Sequence, residues 1–176
     1  MIRNIPQFLI AAPTSGTGKT TVSRLLMTLL TQKKLRVQPY KCGPDYIDTK
    51  YHEKACGIPS YNLDLFMASE HHVCKVYNHH AVDADVCIVE GMMGMFDGYD
   101  RSKGSSAEIA KVLRLPVVLV VSAKAAAYSL AAMIKGYVDF ELSYTAKGGH
   151  SSRPGENFAT TMIAKALIAI QENPMP

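Results

Sequence analysis

A doubly wound α/β fold on a mostly parallel sheet is predicted by three features of the sequence. Short apolar runs, too continuous for a sheet with one wet face, alternate with segments of helical periodicity. A cluster rich in Gly, Ser and Thr separates the first such run from the first helix. The 176 residues, at about 100 to 200 per domain, leave room for one layered unit with a real core.

Each element follows from its pattern. Gln7–Ala12 (QFLIAA) reads as a strand, and Thr20–Thr31 carries Val22, Leu25, Leu26, Leu29 and Leu30 at helical spacing. Arg36–Tyr40, Asp85–Val89 and Pro116–Val121 read as three further strands. Helical patterns lie between and after them, at Ser69–Asn78, Ser106–Leu113 and Ala125–Val138. The text then changes character: Leu142–Ala146 alternates like a strand, Lys147–Glu156 is a polar loop, and Phe158–Ile170 is an Ala-rich amphipathic helix. The organisation expected is therefore a domain over 1–140 and a strand-loop-helix tail over 141–176.

Composition narrows the function classes. A hydrophobic share of 48% against 19% charged residues excludes disorder over most of the chain. The apolar run Leu115–Val121 is far below the roughly 20 residues of a membrane span, so no membrane partner is expected. The first residues lead straight into a strand pattern without a cleavable signal, and a cytoplasmic location is expected. The formal charge of +4 comes from scattered basic residues with no interleaved aromatics, which argues against nucleic acid and for small anions. Cys42, Cys56, Cys74 and Cys87 form no CxxC pair and read as reduced thiols. His71/His72 and His79/His80 read as a solvated helix face, and Met92, Met93 and Met95 as packing.

The strongest signal is Ala12–Thr21 (APTSGTGKTT), which follows a strand and opens a helix. Glycine lets the backbone turn its amides inward, and a helix start adds unsatisfied N–H groups and the positive end of a dipole. Thr14, Ser15, Gly16, Thr17, Gly18, Lys19, Thr20 and Thr21 are therefore the expected nucleotide contacts, with Lys19 meeting the outer phosphates and Thr20 reaching Mg²⁺. Pro13 stands where the GxxxxGK[ST] pattern has its first glycine, which places the loop among the SGxGKT variants of the P-loop. ATP and Mg²⁺ are the expected ligands.

Acidic residues supply the rest of the candidate site. Glu90 ends a buried strand, where parallel sheets hold their ligands, and is expected to hold Mg²⁺ directly or through water. In Lys41–Asp48 (KCGPDYID), Gly43 and Pro44 force a turn, and Asp45 and Asp48 are spaced for one face of a helical turn. Asp45 joins Thr20 and Glu90 as a candidate metal ligand. Lys41, Asp45, Asp48 and Asp97 are the candidate catalytic residues, with a plain solvated turn role as the alternative for Asp45, Asp48 and Asp97.

Taken in order, APTSGTGKTT, YKCGPDYID, NLDLF (Asn62–Phe66), VEGMMGMFDG (Val89–Gly98) and PVVLVV resemble the cobyrinic acid a,c-diamide synthases, amidotransferases of cobalamin biosynthesis. The likeness runs over about residues 7 to 140 and extends to dethiobiotin synthetase and the MinD/ParA ATPases. Thr14 stands where MinD-type proteins carry an extra lysine, which favours the amidotransferase branch.

The resemblance implies a P-loop NTPase-like fold and an ATP-dependent carbon–nitrogen ligase that amidates corrin carboxylates through an acyl phosphate. It implies that Ser15–Thr20 cradle ATP, Glu90 and Asp45 organise Mg²⁺, Asp48 serves the acceptor carboxylate, and Lys41 stabilises the transferring phosphate. The implied partners are a corrinoid polycarboxylate and ammonia, or glutamine through a further domain; a homodimer stays open. Thr49 and Ser122 depart from the family pattern, which has a proline and an acid there. The family is more than twice as long, with a glutaminase domain not found here, so part of the sheet and the full activity are expected to be missing. From about Glu141 the text resembles instead the dimerisation domain of zinc-dependent aminoacylases and carboxypeptidases, through GGHSS (148–152) and Pro154–Ala159. A fusion or frameshift would explain that tail. The alternatives to a ligase are a MinD/ParA-type ATP-dependent interaction protein and a non-functional remnant that binds nucleotide only.

Overall fold

The computed structural model describes residues 5–124 and 126–145, which fall into two compact units divided after Ser122. The first unit holds a five-stranded, all-parallel sheet. Its strands are β1 (Gln7–Ala11), β2 (Val37–Cys42), β3 (Tyr61–Leu63), β4 (Val86–Glu90) and β5 (Val117–Leu119), in the order β3-β2-β4-β1-β5. The connecting helices are α1 (Lys19–Gln32), α2 (Tyr46–Cys56), α3 (Glu70–Ala81) and α4 (Ser106–Leu113). This is the expected doubly wound class, with α2 and β3 additional to the elements the sequence pattern shows.

Alternation along the strands sorts the core into two faces. Leu9, Tyr40, Cys87 and Val89 pack with Val73 and Tyr77 of α3 and Ile109 of α4. Ile10, Val37, Val86 and Ile88 pack on the other face with Met27 of α1 and Cys56 of α2. Positions 86, 88 and 90 of β4 share this second face by parity, so Glu90 projects toward α1 and α2. Lys41 follows Val37 by the same parity and is the cross-strand partner of Glu90. Sheet register thus brings a lysine and a glutamate together before any loop is considered.

Helix ends are set locally. Asp45 caps α2 by accepting from the Ile47 and Asp48 amides at 2.9 and 3.0 Å, and Gly57 closes it in the left-handed conformation at φ 72°. Ser69 and Ser105 cap α3 and α4 in the same way. In α1 the buried stripe is Lys19, Ser23 and Met27, whereas Leu25 and Leu29, expected on the core face, are exposed.

The second unit contributes α5 (Ser129–Thr145). This corrects the strand expected at Leu142–Ala146, whose first four residues continue the helix. Once nucleated, a helix gains one bond for each residue it fixes, and a few alternating residues without a breaker do not stop it. The polar loop and second helix expected beyond, with the aminoacylase-like segment, lie outside the described residues. Among the described residues, no helix is long and apolar enough to cross a membrane.

Ile88, fully buried in the central strand β4, should lose about 2 to 5 kcal/mol of stability on Ile88→Ala, whereas Leu25→Ala should stay within about 0.5 kcal/mol. Urea midpoints at unchanged slope measure both.

Candidate functional site

The loops that follow β1, β2 and β4 meet at the carboxyl edge of the sheet, where ligands of doubly wound folds bind. The first is the glycine loop. Gly16 and Gly18 adopt φ of 74° and 100°, conformations that L side chains rarely hold, and Gly18 is the N-cap of α1. Thr17 Oγ1 donates to the Thr14 carbonyl at 2.7 Å and fixes the loop's curl. Among the described residues, the backbone N–H groups of Ser15 and Gly16 have no protein acceptor. Free amides at a helix start, where the dipole is positive, form an anion cradle.

Lys19 lies against this cradle. Its Nζ donates to the Thr14 carbonyl at 3.2 Å and to the Met93 carbonyl at 2.5 Å, so it bridges the loop to the segment after β4. That segment approaches closely because residue 94 is glycine: a Cβ there would sit 2.5 Å from the Pro13 carbonyl oxygen. Burial, and then the neighbouring Lys41 charge, lower the pKa of Lys19.

Glu90 is the centre of the second cluster and is fully buried. Its Oε1 accepts from Thr20 Oγ1 at 2.6 Å and from Lys41 Nζ at 3.3 Å, and its Oε2 lies 2.8 Å from His52 Nε2. Burial would push this carboxyl up, but the His52 hydrogen bond, the Lys41 charge and the Thr20 hydroxyl bring its pKa down to about 2. Lys41 also donates to the Gly91 carbonyl at 2.9 Å and pairs with Asp48 at 3.1 Å. Burial works against its charge, but Glu90 and Asp48 outweigh it and raise its pKa. One ammonium thus serves two carboxylates. Burial first, then repulsion from Glu90, raises the pKa of Asp48 despite its ion pair with Lys41.

The structure therefore brings Lys19, Thr20, Lys41, Asp48 and Glu90 together. Thr14, Ser15, Gly16, Thr17 and Gly18 form the loop beside them, and Thr21 sits exposed in the first turn of α1. Asp45 stands at the edge, half-buried, with Oδ1 occupied by the two amides it caps; these hold its pKa down against its own burial. Asn62 Nδ2 ties this turn to β3 by donating to the Gly43 and Asp45 carbonyls. Asp97 is an exposed turn residue that accepts from the Gly94 amide at 3.0 Å, and its charge is felt at Lys19. His52 was not legible as a site residue. His71, His72 and His79 are exposed, and His80 stacks on Tyr61 with centroids 3.5 Å apart.

The oxygens at this edge suit a hard divalent cation. The Thr20 hydroxyl and a Glu90 oxygen are adjacent, and Glu90 with Asp48 carries two charges against the one of Lys41. Among the described residues, no group of three or more His, Cys, Asp or Glu could hold a metal by itself. This donor set fits Mg²⁺, which uses one or two protein oxygens together with waters and phosphate.

The model of one family, the CobQ/CobB/MinD/ParA nucleotide binding domain, matches residues 8–142. The chain belongs to that nucleotide-binding family. Cobyrinate a,c-diamide synthase of Listeria monocytogenes is 45% identical over 172 residues, 96% of this chain and 38% of that protein. The Caldanaerobacter subterraneus cobyrinate a,c-diamide synthase is 44% identical over 161 residues, 91% of this chain and 35% of that one. Hydrogenobyrinate a,c-diamide synthase of Streptomyces coelicolor is 45% identical over 139 residues, 78% of this chain and 29% of its own length. The chain thus spans 29 to 38% of the length of these relatives. Among solved structures, the GDP-bound signal recognition particle receptor FtsY of Elizabethkingia anophelis aligns with 68% of this chain and 41% of that one, at 18% identity and a TM-score of 0.48.

With a folded value near 2 and an unfolded value of about 4.3, Glu90 contributes stability that is fully present above about pH 4.5 and is lost as pH falls toward 2. Glu90→Gln should be less stable at pH 7 and less sensitive to pH across that window, and the Asp48 carboxyl should titrate lower once Glu90 no longer repels it. Urea midpoints against pH and carboxyl carbon NMR measure the two effects.

Proposed function

We propose that the chain binds MgATP and is the nucleotide-binding part of an enzyme that amidates corrinoid carboxylates by way of an acyl phosphate. The observation that carries the reading is the Thr20–Glu90–Lys41 cluster beside the glycine loop, in a chain whose relatives of 44 to 45% identity are named cobyrinate a,c-diamide synthases. Amides of the loop and Lys19 would bind the phosphates, and Thr20 with Glu90 would hold Mg²⁺. The ion, when bound, supplies charge neutralisation at the terminal phosphates.

The chemistry explains the parts. A carboxylate is a poor electrophile, because any nucleophile must add to a centre already rich in electrons. Attack of its oxygen on the γ-phosphorus breaks the bond to the β-phosphate oxygen and yields an acyl phosphate and ADP. Ammonia then adds to the carbonyl carbon, phosphate leaves with the bonding pair, and the lost proton completes an amide. The protein's share of the first step is positioning and charge. Lys41 would offset the negative charge carried between the two oxygens, and Asp48, half-buried and of raised pKa, would face the acceptor. Asp45 and Asp97 are assigned to holding their turns, because their carboxylates take backbone amides of those turns.

At nucleotide concentrations of about 100 times Kd, MgATP should raise Tm by roughly 5 to 10 °C, and Lys19→Ala should remove most of that shift. No shift in the wild type counts against nucleotide binding. With cobyrinate and MgATP, hydroxylamine should trap a hydroxamate, and its absence in a chain that binds MgATP would restrict the function to nucleotide binding.

A further inference from the structure

We infer that His52 is a positioning residue for the metal and nucleotide site, acting by orienting Glu90 from the side opposite Thr20. The imidazole is fully buried, and its two nitrogens meet Ser60 Oγ at 3.1 Å and Glu90 Oε2 at 2.8 Å. An ionised carboxylate only accepts, so Nε2 donates the hydrogen in that contact. The other carboxylate oxygen takes the Thr20 hydroxyl at 2.6 Å. A carboxylate held at Oε2 cannot turn about its terminal bond without breaking the His52 contact, so the ring fixes where Oε1 sits under Thr20. The Ser60 contact in turn fixes the ring plane.

The arrangement also ties two parts of the sequence together. Helix α2 begins at the Asp45 cap and carries Asp48, which pairs with Lys41, and His52, which meets Glu90. Two of the side chains that meet the β2–β4 cross-strand pair, Asp48 and His52, thus come from this helix, and Thr20 comes from α1. A shift of α2 would move the Glu90 carboxylate and the Asp48 end of the site at once. A histidine serving only to fill the core would not need to donate to a buried carboxylate that also accepts from the glycine-loop threonine.

This inference rests on the reading of the site as one for nucleotide with Mg²⁺. The test is calorimetric titration of ADP, with and without Mg²⁺, into the full chain and its His52→Phe, His52→Gln and Ser60→Ala variants, with thermal melts to confirm folding. In the wild type, Mg²⁺ should tighten ADP binding. In His52→Phe that tightening should fall by about tenfold or more while metal-free affinity stays within about twofold, and His52→Gln, whose amide can still donate to Oε2, should recover most of it. A purely structural histidine would instead weaken both affinities in parallel with the loss of Tm. Full Mg²⁺ enhancement in folded His52→Phe, parallel loss of both affinities, or no recovery in folded His52→Gln overturns the inference and leaves nucleotide binding standing. A wild type whose ADP affinity ignores Mg²⁺ overturns the inference and the metal reading together. Should His52→Phe not fold, Ser60→Ala decides, because an unchanged enhancement there overturns the proposal.

Discussion

Glu90 is a carboxylate taken wholly out of water at the end of the central strand, and the arrangement around it answers to that constraint. An ionised group at such depth costs several kcal/mol unless its lone pairs are met by donors of good geometry. Three elements supply them: α1 gives the Thr20 hydroxyl, β2 the Lys41 ammonium and α2 the His52 ring. Strand parity decides that Glu90 points to this face, and register decides that Lys41 is beside it. The carboxylate therefore joins the sheet and two helices through polar contacts, where the rest of that face packs through Ile10, Met27, Val37 and Ile88.

Charge balance then links the fold to what the site can bind. Lys41 divides its attraction between Asp48 at 3.1 Å and Glu90 at 3.3 Å; the pKa of Glu90, with further donors in His52 and Thr20, is held low, while burial and repulsion from Glu90 raise that of Asp48. Lys19 is held by carbonyl groups, and burial and the Lys41 charge weaken its hold on the proton. The Lys41 charge disfavours the charged form of Lys19, and an anion bound at the cradle beside Lys19 would offset that repulsion. The protein oxygens beside Thr20 offer the opposite, an excess of negative charge for a small cation. In the proposed function, phosphate and metal would complement the two halves of one site.

The parts legible in the sequence are those where pattern and burial coincide. The apolar runs of β1 and β4 need both faces covered, and the glycine loop between β1 and α1 has one geometry that suits it. α4 matches its expected bounds. What the pattern hid has physical reasons. The buried face of α2 is Thr49, His52 and Cys56, so a helix packed on the sheet has no apolar stripe to reveal it; its Asp45 cap and the Gly57 stop were the available signals. β3 is a three-residue edge strand, too short to alternate visibly. α1 turns Lys19, Ser23 and Met27 inward because the cradle and Glu90 occupy that side, and Leu25 is left outside. His52 could be found only by combining its i, i+3, i+7 spacing with Thr49 and Cys56 and the parity of Glu90, a combination that needs the sheet order.

In the proposed function, the loop from Pro13 to Thr20 wraps the phosphates of a nucleotide while Glu90 and Thr20 share its metal ion. A crystal structure of the chain grown with ADP and Mg²⁺ tests this most directly. Phosphate oxygens are expected within about 3 Å of the loop amides and Mg²⁺ about 2.1 Å from Thr20 Oγ1, with Glu90 bound directly or through one water. Nucleotide seated elsewhere, or seated here with the metal remote from both Thr20 and Glu90, would contradict it.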